Sequence, residues 1–216
     1  MTERPRQYIL AREGWIHVAV VLFAAAAVQW WAGWAWALPL WLLVLFVVQF
    51  FRDPPRRIPD EPAAVISPAD GRIIAVDEVH DPYLDRTARR ISIFMNVFNV
   101  HANRIPVSGT VRQRWYHPGR FVNAALDKAS SENERNALWI HADEDCEVVV
   151  VQVAGLIARR ILCYAGEGDR VQRGERFGFI RFGSRVDIFL PAGSSIRVAL
   201  GDRVAGGRDV LASLPH

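Results

Sequence analysis

The sequence predicts a mainly β protein, a β-rich sandwich or barrel with few short helices, carried on an N-terminal α-helical transmembrane hairpin. Two observations carry this. From about Val65 onward, short β-branched runs alternate with Gly, Pro and Asp, the texture of closely spaced strands and turns. From Gly14 to Phe51, 38 residues contain no Asp, Glu, Lys or Arg. One helix of that length would run about 57 Å at 1.5 Å per residue, whereas a bilayer core is about 30 Å thick and is crossed by about 20 residues. Two helices joined by a tight turn fit better. Gly33 and Pro39 offer the break, and Trp30, Trp31, Trp34 and Trp36 cluster near it, where membrane interfaces favour Trp.

Both flanks of the apolar stretch are basic: Arg4, Arg6 and Arg12 before it, Arg52, Arg56 and Arg57 after it. Positive residues tend to stay cytoplasmic, so a hairpin with both ends inside satisfies both flanks. This places the β-rich part on the cytoplasmic face of the cell (inner) membrane. A cleaved signal peptide fits poorly, because the stretch is too long and no small-residue cleavage site follows it. One tilted span plus an interfacial segment is the remaining rival. The net charge of +3 and pI near 9.2 suit a surface held against anionic lipid. The charge is too small and too spread for a nucleic-acid partner. Cys146 and Cys163 read as buried free thiols. With His117 and His141 they show no ligand spacing, so no metal is expected.

The chain divides into a membrane anchor and linker over residues 1–57, with the hairpin at about 14–51, and a β-rich domain over 58–216. Residues 1–13 are polar. The run from Arg52 to Pro59 holds three prolines and is a stiff linker that cannot continue a helix. Strands are expected over residues 71–77, 90–96, 109–115, 136–142, 147–153, 160–164, 176–182, 186–190 and 195–200. Short helices are expected over 123–130 and from 153 to 157. Residues 166–178, rich in Gly, have the turn-strand-turn pattern of the hairpin in lipoyl and biotinyl carrier domains. Those carriers need a lysine at the hairpin tip. This hairpin has none, and the single lysine, Lys128, lies elsewhere, so only the scaffold likeness holds.

The pair Gly183-Ser184 stands between two β-like segments, 178–182 and 186–190. Glycine leaves the carbonyl before the serine open to attack and permits backbone angles that other residues avoid. A serine hydroxyl beside such a carbonyl can attack its own backbone. In isolation Gly-Ser is an ordinary turn. Upstream stand Ser67-Pro68-Ala69-Asp70-Gly71, an ordinary turn signal whose Asp can also orient a histidine, and Val100-His101-Ala102-Asn103-Arg104 beside an apolar strand. Tyr116-His117-Pro118-Gly119-Arg120 follows, then Glu132-Asn133-Glu134-Arg135.

Together and in this order, with Phe51-Arg52-Asp53-Pro54 before them and Phe182-Gly183-Ser184 after them, these residues resemble the phosphatidylserine decarboxylases. The short length and the Arg after the serine resemble the compact prokaryotic branch, some of whose members act on ether-lipid analogues. The resemblance implies a self-processing proenzyme. Ser184 attacks the Gly183 carbonyl, and the chain splits into 1–183 and 184–216, which stay together as a heterodimer. A covalent pyruvoyl group derived from Ser184 then forms a Schiff base with phosphatidylserine, a substrate held in the membrane, and CO2 leaves to give phosphatidylethanolamine. His101 is the candidate base and Asp70 its orienting partner, a triad defined by roles rather than sequence order. Arg104 and Arg185 are candidates, on charge alone, for the lipid phosphate or carboxylate. The longer branch carries a second histidine where Arg104 stands, so His101 serves both steps or another group covers one. The usual Leu-Gly-Ser-Thr cleavage motif keeps only its Gly-Ser core, flanked by Phe182 and Arg185.

Two other classes stay open at this point. A membrane-anchored lipoyl-like adaptor without enzymatic activity would need long helical hairpins, and no heptad run is present. A serine hydrolase using Ser184, His101 and Asp70 lacks the Gly-x-Ser-x-Gly elbow, since Val186 stands two residues after Ser184. Acyl-chain preference is illegible in the sequence, and homo-oligomerisation stays open.

Overall fold

The computed structural model describes residues 9–121, 124, 132–155, 161–180 and 183–215. Arg4, Arg6, Lys128, Phe182, the expected helix over 123–130 apart from Ala124, and residues 156–157 of the second expected helix lie outside them. Two compact units are separated at Pro55/Arg56.

The first unit is the apolar hairpin. A single 3-10 turn, Arg12–Gly14, leads into α1 (Trp15–Ala32), and α2 (Trp34–Phe50) returns. At 18 and 17 residues the helices run about 27 and 26 Å, close to one bilayer core each. The break is Gly33 alone, whose φ of +86° a side chain would resist. Pro39 lies inside α2. Next to the turn, Trp30, Trp31, Trp34 and Trp36 are all exposed, as are Phe23, Leu38, Leu42 and Leu45 along the helices. The single amide among these apolar side chains near the turn is satisfied internally, since Trp41 Nε1 donates to Gln29 Oε1 at 2.8 Å. Backbone bonds from Ala11 to the Phe51 carbonyl and from Asp53 to the Ile9 carbonyl tie the two ends together. Arg12–Ala32 is long and apolar enough to cross a membrane; Trp34–Phe50 is shorter.

The second unit is almost entirely β. In chain order its strands are Ala64–Ile66 (β1), Gly71–Asp81 (β2), Arg86–Met95 (β3), Ala102–Arg104 (β4), Gly109–His117 (β5), Arg135–Ala142 (β6) and Glu147–Val153 (β7). Then come Ile161–Cys163 (β8), Arg170–Val171 (β9), Arg176–Ile180 (β10), Ser184–Pro191 (β11), Ser195–Ile196 (β12), Arg203–Val204 (β13) and Val210–Ser213 (β14). Eight form one antiparallel sheet in the order β13-β2-β3-β11-β7-β6-β5-β9, and two three-stranded sheets, β4-β10-β8 and β1-β14-β12, complete the unit. Register shifts at Ile73/Ala75 and Val111/Gln113 mark bulges that bend the large sheet. The turn at Gly174, in the segment with the lipoyl-like pattern, takes the chain from β9 at the edge of the large sheet into the β4-β10-β8 sheet.

One face of the large sheet makes the main core, with Ile73, Ile91, Ile93, Leu138, Val148, Val186, Ile188 and Leu190 packed against Ile105, Phe177, Ile180 and Leu211 from elsewhere in the unit. The opposite face carries a smaller cluster of Ala88, Ala137, Val149, Val151 and Phe189 under Tyr83, Trp115 and Trp139. β11 is therefore buried on both faces, and its residues alternate between the two clusters with the two-residue period of a strand. Burial raises the Cys163 thiol above its ordinary value, and burial with nearby Glu144 and Asp145 raises Cys146, so both are thiols at neutral pH.

Removing residues 1–55 is expected to shift the protein from the membrane pellet to the supernatant after ultracentrifugation of lysed cells. Sedimentation equal to that of the full chain would contradict the membrane role of the apolar hairpin.

Candidate active site

Ser184 is the first residue of β11, and Gly183 bends the chain into it from the β4-β10-β8 side. The pair therefore sits where the chain passes from one sheet to another rather than in a hairpin turn. Gly183 has φ +60°, in the left-handed region that favours glycine. Ser184 is fully buried, pairs with Met95 at the end of β3, and donates its hydroxyl to Met95 Sδ at 3.4 Å.

His101 precedes β4, in the segment that lies against β10. Its carbonyl accepts from Ile180 N at 3.3 Å, three residues before Gly183. The ring is buried, with Nδ1 2.9 Å from the Asn99 carbonyl. A carbonyl only accepts, so this contact puts the proton on Nδ1 and leaves Nε2 as the basic nitrogen of the neutral ring. Two residues on, Asn103 Nδ2 reaches the same Met95 sulfur at 3.9 Å. The His101 segment and Ser184 thus converge on the end of β3.

Asp70 stands elsewhere in the bonding pattern. Its carboxylate receives both contacts from Arg56 NH2, at 2.9 and 3.0 Å, and the Gly206 backbone N–H at 2.7 Å. It anchors the turn before β2 to the linker arginine, while the Asn99 carbonyl takes the Nδ1 side of His101. Arg104 is buried and donates to the Gly174 carbonyl at 3.2 Å. Arg185 is buried as well. Its Nε and NH2 face the two oxygens of Asp187 at 2.9 and 3.0 Å, and its NH1 donates to the Ala124 carbonyl at 3.2 Å. Both arginines are buried and have protein partners within the fold.

Several groups at the site carry no sequence motif of their own. Asp187 neutralises Arg185 across one period of β11. Gln152 on β7 donates to Asn103 Oδ1 at 2.8 Å and accepts from Asn136 Nδ2 at 3.2 Å, and Asn136 accepts from Arg114 at 2.8 Å. This buried chain of amides satisfies polar groups that would otherwise cost about 1–3 kcal/mol each. The signal was present in the sequence as polar residues at inward positions of apolar strands: Gln152 inside a run of valines, and Asp187 between Val186 and Ile188. Among the described residues, no group of three or more His, Cys, Asp or Glu could hold a metal ion.

The sequence profile of the phosphatidylserine decarboxylase family matches residues 43–212. A phosphatidylserine decarboxylase proenzyme of Aromatoleum aromaticum is 62% identical over 207 residues, 96% of each chain. One from Nitrosomonas europaea is 60% identical over 204 residues, 94% of each chain, and one from Burkholderia pseudomallei is 56% identical over 208 residues, 96% of each chain. The chain belongs to the phosphatidylserine decarboxylase family. The adaptor and serine hydrolase readings are not favoured beside this membership. The profile match spans the last eight residues of α2 and every strand of the second unit except the last residue of β14.

The Arg185–Asp187 pair allows a stability prediction. Asp187→Ala leaves a buried guanidinium without its counter-ion and is expected to cost about 3–5 kcal/mol. The double change Arg185→Met with Asp187→Leu is expected to cost far less. Urea unfolding in a Ser184→Ala background, where every chain has the same covalent state, checks this. Equal losses in the single and double variants would contradict it.

Proposed function

We propose that this chain is a pyruvoyl-dependent phosphatidylserine decarboxylase that makes its own cofactor by cutting between Gly183 and Ser184. The observation that carries this is a serine hydroxyl buried behind a glycine held at φ +60°, at the start of a central strand, on the same Met95 sulfur that Asn103 reaches two residues after a buried histidine whose Nδ1 is committed to a backbone carbonyl. A serine hydroxyl is a weak nucleophile without a base. His101 Nε2 takes the Oγ proton as Oγ bonds to the Gly183 carbonyl carbon. The Gly183–Ser184 C–N bond then breaks, the nitrogen takes up a proton, and an ester joins Gly183 to the serine oxygen. Loss of the Ser184 Cα proton expels the Gly183 carboxylate and leaves a dehydroalanine. Its enamine tautomerises to an imine, and water releases ammonia to leave the ketone of a pyruvoyl end at position 184.

The site fits such a group. A carbonyl cofactor has to be kept from bulk water and stray amines, and position 184 is fully buried. The pyruvoyl group supplies a carbonyl that condenses with the amine of phosphatidylserine and takes up the electron pair of the departing carboxylate. His101 Nε2 then carries the proton that returns to the substrate carbon. The segments 1–183 and 184–216 stay together because β11 is hydrogen-bonded to β3 on one side and β7 on the other, and β14 pairs with β1. The basic flanks of the apolar hairpin favour the cytoplasmic face of the inner membrane, where a tethered enzyme meets its lipid by lateral diffusion.

Purified protein mixed with vesicles containing phosphatidylserine is expected to release CO2 and accumulate phosphatidylethanolamine. Ser184→Ala should remain one chain with no turnover, and His101→Ala should lose self-cleavage. With the base absent, the loss is expected at about 10²–10⁴-fold in rate. A normal cut in Ser184→Ala, or full activity in His101→Ala, would overturn the assignment.

A further inference from the structure

The segment Glu132-Asn133-Glu134-Arg135 reads in the sequence as a polar loop, yet its core is buried and bonded. Arg120 lies alongside it in a parallel bridge, donating from its N–H to the Glu132 carbonyl at 2.7 Å and accepting from Glu134 N at 3.1 Å. The segment in turn fixes the end of β7. Ala154 N donates to the Glu134 carbonyl at 2.9 Å, and the Ala154 carbonyl accepts from Asn133 Nδ2 at 2.7 Å. Both backbone polar groups of Ala154 are therefore held by two adjacent residues. Beyond the far end of the segment that follows, Ile161 N donates to Glu134 Oε1 at 3.4 Å.

What this frame holds in place is Gly155. A Cβ built on Gly155 would lie 1.6 Å from the Gly183 carbonyl oxygen, 2.8 Å from the Gly183 carbonyl carbon and 3.2 Å from Ala124 Cβ. The oxygen of the bond assigned to self-cleavage thus rests directly against the Gly155 backbone, in a space that any side chain would fill. Ala124 on the same spot is itself fixed through its carbonyl by Arg185. When a nucleophile adds to a carbonyl, the carbon becomes tetrahedral and the oxygen moves off the amide plane. An oxygen seated against a backbone whose preceding residue is hydrogen-bonded at both its N–H and its carbonyl, with no Cβ in its way, is held in one orientation and keeps room for that motion.

We propose that Gly155, held by Asn133 and Glu134, is a positioning residue for self-cleavage that seats the Gly183 carbonyl for attack by Ser184. The inference rests on the assignment of Gly183-Ser184 as the bond that is cut. It gives the Glu132–Arg135 motif and the Pro118–Gly119–Arg120 motif a shared task as the back wall of the cleavage site, and it involves neither substrate nor proton transfer.

The test is the Gly155→Ala variant of the full chain, followed after synthesis by denaturing mass spectrometry with and without hydroxylamine, which cleaves esters and spares amides. The expected result is a protein that folds, with an unfolding temperature below that of the equally uncut Ser184→Ala chain because the added Cβ displaces backbone, and that is cut slowly. Cleavage should be slowed by about 100-fold, the cost of misplacing a reacting group by about 1 Å, with no hydroxylamine-sensitive ester, because the block precedes acyl transfer. A purely structural role would lower the unfolding temperature without removing the ester from the chains that fold. Wild-type cleavage in Gly155→Ala, or a normal ester fraction in its folded chains, overturns the proposal. Should the alanine variant fail to fold, Asn133→Ser, which frees the Ala154 carbonyl without filling the seat, carries the test with the same expected slowing, and wild-type cleavage there overturns it. If the wild-type chain itself shows no cut at 183/184, the underlying assignment fails and this proposal with it.

Discussion

Strand β11 is paired on both edges and covered on both faces, and much of the second unit follows from that constraint. A strand in this position has little access to water, so the polar groups it buries need partners within the protein. β11 nevertheless begins with Ser184, Arg185 and, after one valine, Asp187. The alternation of a strand separates these by face. Ser184 turns toward Met95, while Arg185 and Asp187 share the opposite side, where they neutralise one another and reach back to Ala124. The reactive serine and the buried ion pair are thus consequences of one local sequence laid into one central strand.

The same constraint explains the amide chain through Asn103, Gln152 and Asn136. These residues come from three different strands, β4, β7 and β6, and link the small β4-β10-β8 sheet to the large one where Gly183 bends between them. A fully satisfied buried network favours one arrangement of the strands over near alternatives of similar hydrophobic burial. That is the kind of rigidity a self-cleaving junction needs, because the attacking oxygen and its carbonyl are neighbours in sequence and react only in a restricted geometry.

Much of this was legible in the sequence, and for identifiable reasons. The hairpin was legible because an absence of charge over 38 residues leaves few alternatives. Strand β7 was placed to the residue, 147–153, because a run of valines between an acidic turn and a glycine has little ambiguity. The short strands β1, β4, β9, β13 and β14 were missed, since two to four residues give no period and their pairing is set by tertiary contact. β4 hid inside the motif that carries His101. At the site, Ser184 and His101 were found through their motifs. The seating of Asp70 on Arg56 and Gly206 was not, because those partners lie 14 and 136 residues away and leave no local trace; the Asn99 carbonyl is only two residues from His101, but every residue has a carbonyl, so nothing in the sequence marks this one as the partner. Arg104 and Arg185 were legible only as charges, because charge is visible in a sequence and its burial is not.

The central claim is that Gly183-Ser184 is a bond the protein cuts by itself. Denaturing mass spectrometry of the purified wild-type chain, before and after treatment with a carbonyl-reactive amine, tests it most directly. The account predicts two chains ending at Gly183 and beginning at position 184, the smaller one lacking a free N-terminal amine and shifting in mass with the reagent. A single intact chain in a preparation that decarboxylates phosphatidylserine would contradict it.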